Sequence, residues 1–208
     1  MIIAFDGAST DLSVALLAHD GTVIAEDAWS SGHRQSAELL PRLLATIEGS
    51  DRTLPDATAI AVGLGPGSFT GLRVAVALGK GLAMGLGLPI VGVPSLVAWL
   101  ASDAQASAAV ARAGARDAFV ARRDDPDIAI VDRDALIGIG NVVTPAELVA
   151  AFGLLDSRPP RAAATIARMA ASRLAADGSG DDLSALEPIY LRAPRGITAE
   201  STGVVRWL

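Results

Sequence analysis

The spacing of hydrophobic positions in the first 94 residues predicts a compact unit of sheet and helix. Three short apolar runs joined by turns predict an antiparallel meander. Apolar residues at helical spacing predict a helix from near His33 to Glu48, capped by Ser31 or Ser36, with Pro41 inside it. A second helix is predicted at 72–88. The predicted strands lie at 2–5, 12–17, 23–29, 58–64 and 89–93. The order β-β-β-α-β-α-β predicts an N-terminal lobe at 1–94.

The pattern is weaker in the second half and predicts a smaller C-terminal α/β lobe, residues 95–208, with an irregular tail. Thr144 and Glu147 have the spacing of a capping box and predict a helix start. An alanine-rich helix at 160–176 ends before Gly178. Further predicted elements are a helix from Ser95 through Ser107 and strands at 110–114, 117–122 and 128–131. The boundary between lobes is predicted near Pro94, and the sequence shows no internal repeat.

Composition narrows the function classes. Hydrophobic residues make up 51% of the chain and charged residues 19%, so a packed core is expected. Aromatic residues are only 4%, so small aliphatic side chains must fill that core. The absence of cysteine excludes disulfides, thiolate catalysis and cysteine metal sites. A net charge of −6 is unfavourable for binding nucleic acid without a partner.

Charged residues also bear on localisation. Asp6 stands where a signal peptide would be basic, so no signal peptide is predicted. The apolar segment 72–88 contains Arg73, Lys80 and several glycines, which favours a buried helix over a membrane span. We therefore expect a cytoplasmic protein with no membrane contact.

The segment from Gly65 to Arg73 lies between a predicted strand and the start of the second helix. Backbone N–H groups are free at such a turn and the helix dipole favours an anion there. The alternative is a tight turn with a Ser68 or Thr70 helix cap. The loop lacks the Gly-Lys-Ser/Thr ending of a P-loop and the spacing of a dinucleotide fingerprint. Candidate anion- or nucleotide-facing residues are Asp6, Gly65, Gly67, Ser68 and Thr70.

Few residues offer catalytic chemistry. Asp6 ends the first strand, where it could hold a metal or face a phosphate, or simply close a turn. A helical metal site at His33 needs a second ligand four residues on, but that residue is Ala37. No Gly-x-Ser-x-Gly elbow is present. We therefore expect no metal site and no catalytic residue.

The second helix carries rows of small residues. Gly71, Ala75, Gly79 and Ala83 recur every fourth position, and Ala77, Gly81 and Gly85 form a second row. Glycine inside a helix costs about 1 kcal/mol relative to alanine, so close packing is implied. The rows pack either against the sheet or against another subunit, and the apolar character of the helix favours the subunit interface. The predicted interface comprises Leu39, Leu40, Leu43, Gly71, Ala75, Leu78, Gly79, Leu82 and Ala83.

Several motifs together resemble the TsaB (YeaZ) family across nearly the whole chain. The most specific is Gly-Pro-Gly-Ser-Phe-Thr-Gly-Leu-Arg at 65–73. The segments at 3–9, 39–41, 80–83 and 95–96, with His33 and Pro89, are also similar, and Glu-Pro-Ile-Tyr-Leu-Arg at 187–192 resembles the family's C-terminal signature. The middle departs from the family pattern. Gly114-Ala115-Arg116 and Asp117-Ala118-Phe119-Val120 replace the usual Asp-Ala-Arg and Glu-Val-Tyr, which leaves the role of those side chains in doubt.

The resemblance implies two RNase-H-like lobes of the actin-like/hexokinase-like ATPase superfamily, with the second lobe reduced. It implies a non-catalytic subunit in the synthesis of threonylcarbamoyladenosine, beside the anticodon of tRNAs that read codons starting with A. The implied partners are a TsaD-type transferase, contacted through the two N-terminal helices, and a TsaE-type ATPase. A homodimer is implied for the isolated chain, tRNA contact only through the complex, no firmly bound cofactor, and ATP or ADP only within the complex.

Two rival functions stay open at this point. A small ATPase or kinase of the same superfamily would use Asp6 and the Gly65 loop, but the second phosphate and adenosine loops are missing. A peptidase acting on its partner would rest on His33 and scattered serines.

Overall fold

The computed structural model describes residues 1–154 and 156–191, which form two five-stranded sheets with helices on both faces of the first. The first sheet has the order β3-β2-β1-β4-β5. Strands β1, β2 and β3 form the predicted antiparallel meander, while β4 and β5 run parallel to β1. The strands are β1 (Ile2–Asp6), β2 (Asp11–Leu17), β3 (Val23–Ser30), β4 (Ala59–Gly63) and β5 (Ile90–Val93).

The second sheet repeats this topology in a smaller form. Its order is β10-β9-β6-β7-β8, with β6, β7 and β8 antiparallel and β9 and β10 parallel to β6. Two meanders, each extended by two parallel strands, confirm the predicted pair of RNase-H-like lobes. The second is reduced, because β9 and β10 have only 2 residues each. The strands are β6 (Ala108–Arg112), β7 (Asp117–Arg122), β8 (Asp125–Asp132), β9 (Val142–Val143) and β10 (Ser157–Arg158). The repeat is therefore one of topology, which the sequence does not show.

Helices cover the sheets according to the two-residue alternation of the strands. Ile3 and Phe5 of β1 point into the core beneath the first two helices. Ala4 points to the opposite face, where it packs in one cluster with Ile166 of the last helix. The helices are α1 (Gln35–Glu48), α2 (Phe69–Leu86), α3 (Ser95–Ser102), α4 (Ala146–Phe152) and α5 (Ala163–Asp177), with short 3-10 helices at Leu54–Asp56 and Asp134–Leu136.

Helix α5 belongs to the second half of the chain but lies on the first sheet, against β1, β2 and β4. The amide of Ala163, at its start, donates to the Ser13 hydroxyl at 3.2 Å. The amide of Ala146, at the start of α4, donates to the Asp11 carboxylate at 3.1 Å. The lobes are thus tied together by hydrogen bonds as well as by apolar packing, and a domain boundary near Pro94 stays a prediction.

Two of the predicted helix caps are wrong. Helix α1 begins after Arg34 without a side-chain cap, because the Ser31 hydroxyl instead donates to the Thr10 carbonyl at 3.1 Å and Ser36 lies within the helix. Helix α4 follows Pro145, and Thr144 does not cap it, since its hydroxyl donates to the Val110 carbonyl at 3.0 Å. In both cases a tertiary hydrogen bond takes the hydroxyl that the local pattern assigned to a cap.

The structure confirms one further predicted cap and corrects one predicted helix end. The predicted Ser68 cap of α2 is confirmed, since its hydroxyl accepts from the Gly71 amide at 3.3 Å. Helix α3 stops at Ser102, short of the predicted Ser107. Ser107 instead donates to the carbonyls of Ile139 and Asn141, which places it at the start of the second sheet.

Candidate functional site

The glycine-rich loop at 65–73 packs directly on the turn after β1. Ser68 donates its amide to the Ala8 carbonyl at 2.6 Å. A Cβ atom on Gly67 would lie 2.0 Å from that same carbonyl oxygen, and one on Gly71 would lie 2.2 Å from the Gly7 carbonyl oxygen. Glycine is therefore required at both positions, because the two backbone segments touch. The loop serves first as the junction between the sheet and α2.

Asp6 lies beneath this junction and is only 2% exposed. Its carboxylate accepts hydrogen bonds from the Ser95 hydroxyl at 2.8 Å, the Trp99 indole N–H at 2.5 Å and the Ala8 amide at 3.2 Å. Burial raises the pKa of Asp6, and the hydrogen bonds from Trp99, Ser95 and the backbone oppose that rise. The hydrogen bonds of Asp6 thus hold α3 against the end of β1. The expectation that it faces an anion or a metal is corrected by this burial.

A cleft of about 470 Å³ lies between the lobes, at the N-terminal end of α2. The first lobe contributes Thr10, His33 and Ser68, and the second contributes Arg112 and Glu147. Arg112 Nε lies 3.6 Å from Glu147 Oε1 across the second-lobe side. The cleft therefore combines one guanidinium, one carboxylate, hydroxyls and a helix N-terminus.

The structure places only some of the predicted anion-facing residues in the cleft. Gly67 and Ser68 line the cleft, whereas Thr70 is exposed in the first turn of α2. Gly65 is buried, with φ of 88°, and donates its amide to the Ser95 hydroxyl at 2.9 Å. Within residues 1–154 and 156–191, no group of three or more His, Cys, Asp or Glu side chains is arranged to hold a metal ion.

Most of the predicted interface residues lie inside the lobe. A Cβ atom on Gly79 would meet Ile90 Cδ1 at 3.2 Å, so this row of small residues packs against the sheet. Leu78 and Leu82 are half-buried, and Leu40 is 40% exposed. The buried members are Leu39, Leu43, Gly71, Ala75, Gly79 and Ala83. These six support the helices from within and cannot line a surface, which corrects the predicted interface at those positions.

The second row of small residues faces outward. A Cβ atom on Gly81 or Gly85 would meet nothing within 4 Å, and Met84 beside them is 71% exposed. Leu40 is exposed on α1, the helix that packs beside α2. We call the set Leu40, Ala77, Gly81, Met84 and Gly85 the outer helical face. It is apolar, and its small residues on α2 would allow another helix to approach closely.

The two most specific motifs of the sequence meet at the start of α2. The rings of Phe69 and Tyr190 lie 5.6 Å apart, and the Arg73 guanidinium lies 4.0 Å from the Phe69 ring centre. Arg73 Nε donates to the Tyr190 hydroxyl at 3.2 Å, and the Ile189 amide donates to the Leu64 carbonyl. The loop motif and the C-terminal motif therefore form one contact. Arg192, the last residue of that motif, lies outside the described residues.

Comparisons with known proteins agree on one family. The family described as TsaD, tRNA N6-adenosine threonylcarbamoyltransferase, matches residues 22–179. The tRNA threonylcarbamoyladenosine biosynthesis protein TsaB of Escherichia coli is 39% identical over 97 residues, 46% of this chain and 41% of that protein. The chain belongs to the TsaB (YeaZ) family.

Two further similar proteins cover nearly the full length of the chain. An uncharacterized protein of Mycobacterium tuberculosis H37Rv is 29% identical over 203 residues, 93% of this chain and 92% of that protein. YeaZ from Pseudomonas aeruginosa has a TM-score of 0.67 at 21% identity, covering 91% of this chain and 99% of that one. The family's fold thus extends through both lobes of this chain.

The segment that departs from the family pattern forms the hairpin between β6 and β7. The amides of Ala113 and Gly114 both donate to the Asp117 carbonyl, which closes the hairpin. Ala113 and Gly114 also line the inter-lobe cleft. The departure therefore changes the second-lobe wall of the cleft and leaves the fold intact.

Helix α2 is long and apolar enough to cross a membrane by length and composition alone, with 18 residues and a mean hydropathy of 1.3. In the fold, its row of small residues packs on β4 and β1. This packing is typical of a helix that covers a sheet.

Sequence reasoning missed three residues that define the cleft. Thr10 lay within a predicted turn without any motif, and Arg112 lay inside the predicted strand at 110–114. Glu147 was interpreted as part of a helix cap, although it faces Arg112. Their proximity depends on how the two lobes pack, and no local pattern reports that.

Proposed function

We propose that this chain is a non-catalytic subunit in the synthesis of threonylcarbamoyladenosine in tRNA. It pairs with a TsaD-type transferase, which performs the chemistry on the adenosine beside the anticodon of tRNAs that read codons starting with A. A TsaE-type ATPase joins the pair. Family membership supports the pathway, since the related proteins carry that activity in their names.

The outer helical face is the observation that supports pairing with the transferase. It exposes Met84 and Leu40 together with a row of residues no larger than alanine. Such a surface costs free energy in water and allows close approach by a second helix pair. The same surface serves a homodimer when the chain is alone, because a twofold interface uses one patch on both copies.

The chemistry of the cleft supports an accessory role. Asp6, the residue best placed by sequence for phosphate or metal chemistry, is engaged with Ser95 and Trp99 in the core. His33 has no second histidine near it, because His19 lies at the other end of the sheet in the turn between β2 and β3. We therefore expect ATP or ADP to act only within the assembled complex, and tRNA to be held mainly by the partners. We place this complex in the cytoplasm.

Binding of the partner tests the proposal through one exposed residue. Met84→Glu places a charge on the outer helical face without entering the core, so the variant should fold and should lose co-purification with the transferase. Ile137→Glu is the matched control, because Ile137 is 81% exposed and belongs to the second lobe. Equal loss in both variants, or full retention in Met84→Glu, would contradict an interface at this face.

A further inference from the structure

The first sheet ends at β5, and within the described residues side chains close the outer edge of this strand. The carbonyls of Pro89 and Val93 accept from β4, so Ile90 and Gly92 turn their backbone groups to the outer side. Strand β5 is Ile-Val-Gly-Val, four apolar residues without a charge. Pro89 and Pro94 flank it and have no amide hydrogen, which limits further pairing to these residues. An uncharged strand at a sheet edge is a template for pairing with another chain.

Arg173 and Asp181 occupy the place that a further strand would take. The Asp181 carboxylate accepts from the Gly92 amide at 2.7 Å, and Arg173 Nη1 donates to the Gly92 carbonyl at 3.0 Å. The Asp181 amide donates to the Ile90 carbonyl at 2.7 Å. Arg173 Nη2 lies 2.6 Å from Asp181 Oδ1, which holds the two side chains together. These outward groups of β5 are therefore bonded much as a neighbouring strand would bond them.

The segment that carries Asp181 lies tightly on the same edge. A Cβ atom on Gly180 would lie 2.5 Å from the Ile90 carbonyl oxygen, so glycine is required there. Leu186 is buried, and a Cβ atom on Gly92 would lie 2.8 Å from its Cδ1. The ion pair is the solvent-facing part of this closure, because both of its side chains are partly exposed.

The outward groups of β5 are complementary to those of a second copy of the same strand. In an antiparallel pair with its twofold axis at Val91, Ile90 of each copy lies opposite Gly92 of the other, and these residues exchange amide–carbonyl bonds. We propose that the outer edge of β5 is a docking surface for β5 of a second copy of this chain, and that Arg173 and Asp181 hold it closed. Opening the edge joins the first sheets of two copies into one continuous sheet.

The closed edge limits which surface the chain uses for pairing. Where the outer helical face pairs two chains, as proposed above, a second open twofold surface would link those pairs to one another without closure. Arg173 and Asp181 leave only one of the two surfaces in use. The docking edge of β5 holds whether or not the outer helical face pairs.

Removal of the ion pair tests the proposal in a Met84→Glu background, which takes away association through the outer helical face. The double variant Arg173→Ala/Asp181→Ala lacks both side chains that bond to Gly92. Hydrogen exchange of the Gly92 amide, followed by NMR, should speed up about tenfold or more at low protein concentration, because the amide loses a charged acceptor. At high concentration the same amide should regain protection, and light scattering should report a dimer. Circular dichroism verifies that each variant is folded.

Arg42→Ala/Asp27→Ala is the matched control, because this ion pair is similarly exposed but joins α1 to β3, at the opposite edge of the sheet. It should stay monomeric with unchanged exchange at Gly92. Asp181→Asn keeps the shape of the side chain and replaces the double variant if that variant does not fold, with the same two changes expected at smaller size. Faster Gly92 exchange without a dimer, a dimer that leaves Gly92 unprotected, or equal dimerisation of the control would overturn the proposal. A monomer with unchanged Gly92 exchange would overturn it as well.

Discussion

Replacing glycine by alanine is expected to have opposite effects on stability in the two rows of small residues on α2. Gly71 faces the turn after β1, and a Cβ atom there would lie 2.2 Å from the Gly7 carbonyl oxygen and 3.3 Å from the Ser68 hydroxyl. Gly81 lies in the same helix with open space around it. Alanine favours a helix by up to about 1 kcal/mol over glycine at both sites. The difference in unfolding free energy between the two variants therefore reports the cost of packing the added methyl group at Gly71.

The expected magnitudes follow from these distances. Overpacking costs about 1–3 kcal/mol, and the Gly7 carbonyl is backbone that cannot rotate away. After the gain in helix propensity, Gly71→Ala should lower the free energy of unfolding by about 1–2 kcal/mol. Gly81→Ala should raise it by up to about 1 kcal/mol. For a chain of this length, each kcal/mol moves the melting temperature by roughly 2–4 °C.

Urea denaturation followed by circular dichroism measures both variants, at two protein concentrations so that association does not mimic stability. A Gly71→Ala variant as stable as the wild type would refute the close contact between the loop and the β1 turn. A Gly81→Ala variant that loses stability would refute the placement of the second row on the exposed face.

Three further outcomes are expected in the core. Gly79→Leu should prevent folding or lower the melting temperature severely, because the added side chain runs into Ile90, and a folded variant in a thermal melt would contradict the buried row. Trp99→Phe should lower the free energy of unfolding by about 1–3 kcal/mol in urea denaturation, since a buried Asp6 oxygen loses its donor. Burial raises the pKa of Asp6 above its ordinary 3.8, so its contribution to stability is fully present below pH 3.8 and is lost as pH rises through the raised pKa. The side chain of the Asp6→Asn variant cannot ionise. The free energy of unfolding of the wild type should therefore fall relative to that of Asp6→Asn as pH rises through the pKa of Asp6. Parallel curves of unfolding free energy against pH would contradict this.

Local sequence patterns predicted the strands and helices of the first lobe well, because β1, β4 and β5 are short apolar runs and α2 is long. The short strands β9 and β10 were missed, since 2 residues carry no period. Ser31 and Thr144 were assigned to helix caps, but their hydroxyls bond to carbonyls brought near by the sheets.

The site was less predictable than the fold because it depends on contacts between distant segments. Asp6 is turned inward by Trp99, which lies 93 residues away in sequence. The row Gly71, Ala75, Gly79 and Ala83 suits either a sheet or a subunit, and periodicity alone does not distinguish the two. The sequence nevertheless identified the second row, Ala77, Gly81 and Gly85, which is the one that faces outward.

Reconstituted tRNA modification tests the accessory role most directly. Purified chain, transferase and TsaE-type ATPase are combined with unmodified tRNA, ATP and the threonylcarbamoyl donor, and threonylcarbamoyladenosine is measured by nucleoside mass spectrometry. We predict no product from the chain alone, full product when all three proteins are present, and loss of product with Met84→Glu but not with Ile137→Glu. Product from the chain without the transferase, or unchanged product when the chain is omitted, would contradict the account.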